Sequence, residues 1–171
     1  LGNYPVAKAD FDNVALMASE PILTQRAKLW SGISQFLESD FEEALSTFND
    51  LYAKTRSREL KGEALYRAAC CKYFLYSYEE AIKLLVEYSN HFSGHAREFE
   101  AQLLLGDSYY ALNRMEDAIS RYQTIPSDVP DLAHLSAIQI AFAYEQLNQH
   151  EDAIRSLERR SRLERDPNNF T

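Results

Sequence analysis

An alanine followed four residues later by an aromatic residue or leucine recurs at Ala7/Phe11, Ala44/Phe48, Ala81/Leu85, Ala118/Tyr122 and Ala153/Leu157, with spacings of 37, 37, 37 and 35 residues. Twelve residues before each of the last four alanines stands another small residue: Gly32, Ala69, Gly106 and Ala141. A period of this length is the signature of a repeated supersecondary unit. Two small residues per period imply two helices, each slim where it crosses the other, since helix axes approach to about 8–10 Å only when the crossing residues leave room. Stacked units of this kind bury one continuous core, so the predicted fold is all-α, an α-α superhelix.

Local signals fall in the same register. Asp40-x-x-Glu43, Ser77-x-x-Glu80, Asn113-x-x-Glu116 and Asn148-x-x-Glu151 match the capping box, in which side chains satisfy the free donors of a first turn. Ser19 ahead of Pro21 gives a further helix start. With 5 Gly and 5 Pro in 171 residues, little interrupts helix. The predicted helices span 4–17, 20–38, 41–55, 59–75, 78–92, 96–112, 115–125, 131–147 and 150–165.

Composition excludes several functions. A net charge of −8 opposes binding of a polyanion, so nucleic acid is not an expected partner. No apolar run approaches the roughly 18 residues that a membrane span needs, which argues against direct insertion. The chain opens on Leu1 without a basic and apolar leader, and reads as a fragment or a processed product. No Gly-rich phosphate loop, nucleophile elbow or zinc-ligand pair on a continuous helix is present, so neither an enzyme nor a cofactor is expected. Glu87, His91 and His95 have helical i, i+4 spacing, but Ser93-Gly94 should end that helix and leave an inter-repeat turn. Adjacent Cys70 and Cys71 read as free thiols, Cys71 in the core and Cys70 at a groove wall, because a vicinal disulfide on a helix is strained. Arg155, Arg159, Arg160, Arg162 and Arg165 read as a solvated last helix, with an anionic partner as the alternative.

Taken together, these residues resemble the tetratricopeptide repeat. Gly106, Tyr109, Asn113, Ala118, Tyr122 and Pro130 follow its motif through one whole period. Gly32, Phe41, Ala44 and Phe48, and Ala141, Tyr144, Asn148 and Ala153, carry parts of it. The period exceeds the usual length of about 34, and Gln35 and Lys72 stand where the family has an aromatic residue. The resemblance implies a single solenoid domain over 1–171, with a partial repeat at 1–18 and repeats at 19–56, 57–95, 96–130 and 131–171. A narrower resemblance, of "YSNHFSGHAREFEAQLLLGDSYYAL" to bacterial cell-envelope tetratricopeptide proteins of the outer-membrane assembly and Tol-Pal types, implies a bacterial periplasm or envelope. The cytoplasm is the alternative, which free thiols favour.

In the family, the first helix of each pair lines a concave groove that binds protein or peptide partners. Carried over by position, the groove residues here are Leu29, Ile33, Phe36 and Leu37, then Glu63, Tyr66, Cys70, Tyr73 and Phe74. Further along they are Glu100, Leu103, Asp107 and Tyr110, then Leu135, Ile138, Phe142 and Glu145. The Lys and Asn of the family's carboxylate clamp are replaced by Leu29/Ile33, Tyr66/Cys70, Leu103/Asp107 and Ile138/Phe142. The implied function is therefore capture of apolar anchors in an aromatic-lined groove. Two alternatives stand: the aromatics serve packing only, or the chain is a spacer that dimerises through the half-repeat face of Tyr4, Ala7, Phe11 and Val14.

Overall fold

The computed structural model describes residues 4–17 and 20–165, with side chains as far as Glu158. Among these residues there are nine α-helices and no strand, in two compact units that divide between Arg97 and Glu98. Unit 1 holds α1 (Tyr4–Met17), α2 (Pro21–Leu37), α3 (Phe41–Lys54), α4 (Arg58–Phe74) and α5 (Tyr78–His91). Unit 2 holds α6 (Glu98–Ala111), α7 (Met115–Tyr122), α8 (Pro130–Gln146) and α9 (His150–Arg165). Helical hairpins α2/α3, α4/α5, α6/α7 and α8/α9 are the repeats, and α3 on α4 and α7 on α8 join them within each unit. The all-α architecture of paired helices is the one the period predicts.

Each hairpin turns through the same backbone device. Ser39, Tyr76, Asn113 and Asn148 have φ of 67°, 58°, 60° and 58°, the left-handed conformation that ends a helix. Their N–H groups donate to Phe36, Tyr73, Tyr110 and Glu145, and the next residue's N–H donates to Gln35, Lys72, Tyr109 and Tyr144. That pair of bonds is a Schellman motif, and its last residue already starts the following helix: Ala44, Ala81, Ala118 and Ala153 donate to Asp40, Ser77, Arg114 and Gln149. The expected capping boxes are thus corrected. Asp40 and Ser77 do hold the N-cap position, but neither side chain makes a cap bond. Asn113 and Asn148 lie one residue too early, and serve the left-handed turn that Asn tolerates better than most residues. The backbone has already satisfied much of what a capping side chain would have done. Between repeats, where no such turn exists, Ser57 does cap, accepting from the Leu60 N–H at 3.3 Å. Ser19 lies outside the described residues, and α2 starts at Pro21 with Glu20 as its N-cap.

The small residues have a sharper role than making two axes fit. A Cβ on Gly32 would stand 2.7 Å from the Phe48 ring, and one on Gly106 would overlap the Tyr122 ring. In the other two repeats the same place holds Ala69 opposite Leu85 and Ala141 opposite Leu157. Glycine accompanies a ring and alanine accompanies leucine, so each hairpin keeps a similar volume at its crossing. Ala44, Phe48, Ala81, Leu85 and Ala118 are fully buried, and burying such a leucine or ring contributes about 1.5–3 kcal/mol. By contrast, Ala7 and Phe11 in α1 are only half-buried, and Val6, Val14, Leu16 and Met17 are exposed.

Boundaries agree with the sequence to within two residues, with one informative exception of three. Helix α7 stops at Tyr122, giving it 8 residues where α3 and α5 have 14. Its chain continues as a turn in which Ile125 is still buried.

Candidate partner-binding site

In unit 1 the helices α2 and α4 lie side by side and present Leu29, Trp30 and Ile33 opposite Leu60, Glu63 and Arg67. His95, Ala96 and Arg97 close the end of this face, leaving a cleft of about 240 Å³. Its floor is apolar and includes the chain's single tryptophan, which is 52% exposed and stacks on Phe11 with centroids 6.1 Å apart. Its wall is charged. Glu63, mostly buried, accepts from Arg67 Nε at 2.8 Å and Arg97 Nε at 3.4 Å. The Tyr66 ring lies 6.0 Å from each of the same guanidinium groups, within cation–π range. The arrangement offers an apolar slot, suited to a side chain such as leucine or an aromatic ring, beside a Glu63 carboxylate shared by two arginines.

His95 fixes the end of the cleft. Its two ring nitrogens meet the Tyr88 hydroxyl at 2.8 Å and the Glu59 carbonyl at 3.1 Å. Since a carbonyl only accepts, Nε2 donates to Glu59, and Nδ1 pairs with the Tyr88 hydroxyl. A Cβ on Gly62 would stand 2.8 Å from Nε2, so glycine at that point of α4 is what lets the imidazole lie across the helix. Glu87, the potential neighbour in a metal set, is instead the acceptor of the Tyr52 hydroxyl at 2.6 Å, a bond that pushes the phenol up to about 12.

The residues expected to line a groove divide among three settings. Leu29 and Ile33 line the cleft, with Tyr66 half-buried on the same helix as its Glu63–Arg67 wall. Phe36, Tyr73 and Phe74 belong to an aromatic cluster at the turn end of α2 and α4: Phe36 to Phe41 is 5.2 Å, Phe36 to Phe74 5.3 Å, Phe41 to Phe74 5.1 Å and Tyr73 to Tyr78 5.4 Å. Phe36 and Tyr73 therefore pack against neighbours, while Phe74 keeps 47% of its surface exposed. In unit 2, Leu103, Tyr110 and Ile138 are half-buried and Phe142 is 55% exposed. Asp107 accepts the Tyr122 hydroxyl at 2.7 Å, and burial raises its carboxyl above the ordinary range despite that bond.

Cys70 is corrected from a groove wall to the interior. Both cysteines are buried free thiols. Burial pushes Cys70 up to about 11, against the Tyr66 hydroxyl bond that stabilises its thiolate, and Cys71 to about 12. Such thiols stay protonated near neutral pH and are poor nucleophiles. Trp30, Arg67 and Arg97 were missed by position-by-position reading because they stand one residue beyond a groove position or outside the helices. The rarity of tryptophan was the available signal for the first, and no local pattern marks the arginines.

Family models described as the tetratricopeptide repeat match residues 100–131 and 137–169. No curated protein matches the chain. Among solved structures, a crystal structure of MamA is similar with a TM-score of 0.77 and 16% identity, over 95% of this chain and 90% of that one. MamA from Desulfovibrio magneticus RS-1 is similar with a TM-score of 0.66 and 17% identity, over 96% and 97%. The TPR-like repeats of a Podosopora anserina kinesin light chain give 0.75 and 18%, over 95% and 87%. At these identities the structures speak for the fold, and the matched repeats for the family. Residues 100–131 and 137–169 are tetratricopeptide repeats, and the chain as a whole shares the fold of solenoids built from them.

Proposed function

We propose that this chain, a protein-interaction module of a family that is typically non-enzymatic, holds an apolar anchor of a partner peptide or helix in the α2/α4 cleft of unit 1. The carrying observation is Trp30: a large aromatic side chain, 52% exposed, at the floor of a ready-formed cleft with Leu29 and Ile33. Aromatic anchors in such clefts dominate interface energies. Phe142, Leu135 and Phe74 extend the proposal to further exposed apolar positions on α8 and α4. The reading takes 1–171 as one solenoid domain of a partial and four full repeats. A place in a bacterial envelope assembly belongs to the same proposal and rests on the resemblance of residues 88–112 alone.

The test is capture of partners from extract by wild type, Trp30→Ala and Phe142→Ala, identified by mass spectrometry, with far-UV circular dichroism as the folding control. A protein retained by wild type and lost with Trp30→Ala supports the cleft. Identical retention by all three forms overturns it. Tyr73 is a poor probe, because its ring contacts with Phe74 and Tyr78 mix binding with stability.

A second reading is favoured by α1, whose Val6, Val14, Leu16 and Met17 are exposed. Here the chain is a spacer that self-associates through α1 and binds nothing in the cleft. Sedimentation velocity on wild type and Val14→Ser separates the two: a dimer lost in the variant favours the spacer, and a monomer at all concentrations rejects it.

A further inference from the structure

Unit 2 contains a pocket of about 200 Å³ among α7, α8 and α9 that the partner-binding reading does not use. Its interior is made by Ile125, Ala133, Ser136, Ala137 and Ile140, all buried, and Asp152 and Arg155 also line it. At several of the corresponding positions around α3, α4 and α5 unit 1 carries larger side chains, although Ile140 stands where unit 1 has the smaller Ala68. Counting from the conserved register of the small residues, Ala133 stands where unit 1 has Lys61, Ala137 where it has Leu65, and Ser156 where it has Leu84. Leu65 is buried and Leu84 packs on the Ala44, Phe48, Ala68 and Cys71 cluster. Lys61 lies over the Tyr52 ring at 5.5 Å. Pro126 stands in unit 2 where unit 1 has that tyrosine.

The replacements remove side-chain volume at one place and add one buried polar group, Ser136, where unit 1 has Ala64. The Ser136 hydroxyl donates to the Ala133 carbonyl at 3.0 Å, so its oxygen is left with lone pairs to accept. Arg155 is paired with Asp152 at 3.0 Å, so the pocket presents no uncompensated charge. Apolar cavities of about 150 Å³ hold benzene. We propose that this pocket binds a neutral, indole-like ring: flat, apolar and carrying one hydrogen-bond donor for Ser136. The ring has two sources, a free small molecule or the side chain of a tryptophan in a partner, and their shared chemistry is what the pocket recognises.

The experiment titrates indole, its donor-less isostere benzofuran and N-acetyltryptophanamide into the full chain, followed by methyl NMR shifts of Ala133, Ala137 and Ile140. Indole is expected to bind saturably and about fivefold more tightly than benzofuran, a preference that Ser136→Ala removes. Ala137→Leu with Ser156→Leu, the residues of unit 1, should abolish binding and raise the melting temperature by filling the space. Binding of indole but not of N-acetyltryptophanamide supports a free ligand, and equal or tighter binding of the latter supports a peptide tryptophan. No saturable shift by either compound below its solubility limit overturns the proposal. So does indole binding that survives the double leucine variant.

Discussion

The two junctions between successive repeats, α3/α4/α5 in unit 1 and α7/α8/α9 in unit 2, use one backbone plan with opposite use of side-chain volume. In unit 1 the junction is closed by Leu65, Leu84 and the Tyr52–Glu87 bond, and further along α5 the fully buried Tyr88 reaches His95. In unit 2, α7 ends six residues sooner than α3 or α5, Ile125 continues the core from a turn, and alanines and serines leave space. A repeat can therefore give up part of a helix and several large side chains provided its glycine or alanine crossing is kept. The crossing carries the fold, and the junction is free to vary.

The sharpest way to break that comparison is at the crossing itself. Gly106→Ala sets a methyl against Tyr122, whose ring is fully buried and whose hydroxyl is held by Asp107, so the ring has little room to retreat. Overpacking of this kind costs about 1–3 kcal/mol. Tyr122→Leu alone should cost about 2–4 kcal/mol, through a cavity and an Asp107 left without its donor. Together the two changes recreate the Ala69/Leu85 pairing of α4 and α5, and their combined cost should fall short of the sum by at least about 1 kcal/mol. Urea unfolding of the four proteins measures this. Additivity within about 0.5 kcal/mol would show that volume at the crossing is not matched pairwise.

A smaller effect distinguishes the hairpin turns. Unit 2 uses Asn113 and Asn148 in the left-handed position, whereas unit 1 uses Ser39 and Tyr76. An ordinary side chain in that conformation costs about 1–2 kcal/mol, and Asn is among the few residues that visit it routinely. Tyr76 is 79% exposed, so little packing offsets its strain beyond an edge contact with Tyr78 at 6.2 Å. Tyr76→Asn, which makes the turn like those of unit 2, should stabilise unit 1 by about 0.5–1 kcal/mol, and Asn113→Gly should change unit 2 by less than half of that. Hydrogen exchange of the α4 and α5 amides against those of α6 and α7 reads the two units separately. A loss of protection in α4 and α5 on Tyr76→Asn would mean that the Tyr76 ring matters more than its backbone strain.

How legible this was in the sequence follows from how each feature is encoded. Helix number, register and the small-residue crossings are written as a periodic pattern, and a pattern repeated through the chain tolerates a few departures such as Gln35 and Lys72. The pairing of Gly32 with Phe48 and of Ala69 with Leu85 was also on the page, but becomes a rule only when the ring is seen above the glycine. The turns escape the sequence because Asn-x-x-Glu fits a cap and a left-handed turn alike, and the choice depends on backbone bonds to residues three and five positions back. The α2/α4 cleft was half legible: Leu29 and Ile33 follow from register, whereas Arg97 reaches Glu63 from 34 residues away. The α7/α8/α9 pocket was not legible at all. It arises from residues that are small, and small residues at helix faces look alike whether they admit a neighbour or leave a void.

The finest difference between the units is the sign of their response to acid. Hydrogen bonds from Lys54 and then Lys28 hold Asp50 of unit 1 below the ordinary carboxylate value of 3.8. Its contribution to stability is therefore present above that value and is lost as the pH falls through the lowered one. Asp107 of unit 2 is the opposite case: burial raises it above 3.8, with the Tyr122 hydroxyl opposing. A carboxyl that is easier to protonate when folded contributes stability below 3.8 and loses it as the pH rises through the raised value. Between neutral pH and the carboxylate range, then, protection of the α6 and α7 amides should increase relative to that of α3 on acidification. Asp107→Asn keeps an acceptor for Tyr122 while removing the titration, and should flatten the α6/α7 profile without touching α3. A profile unchanged by that substitution would assign the acid response of unit 2 to some other group, and would leave the Asp107–Tyr122 bond as a packing contact indifferent to pH.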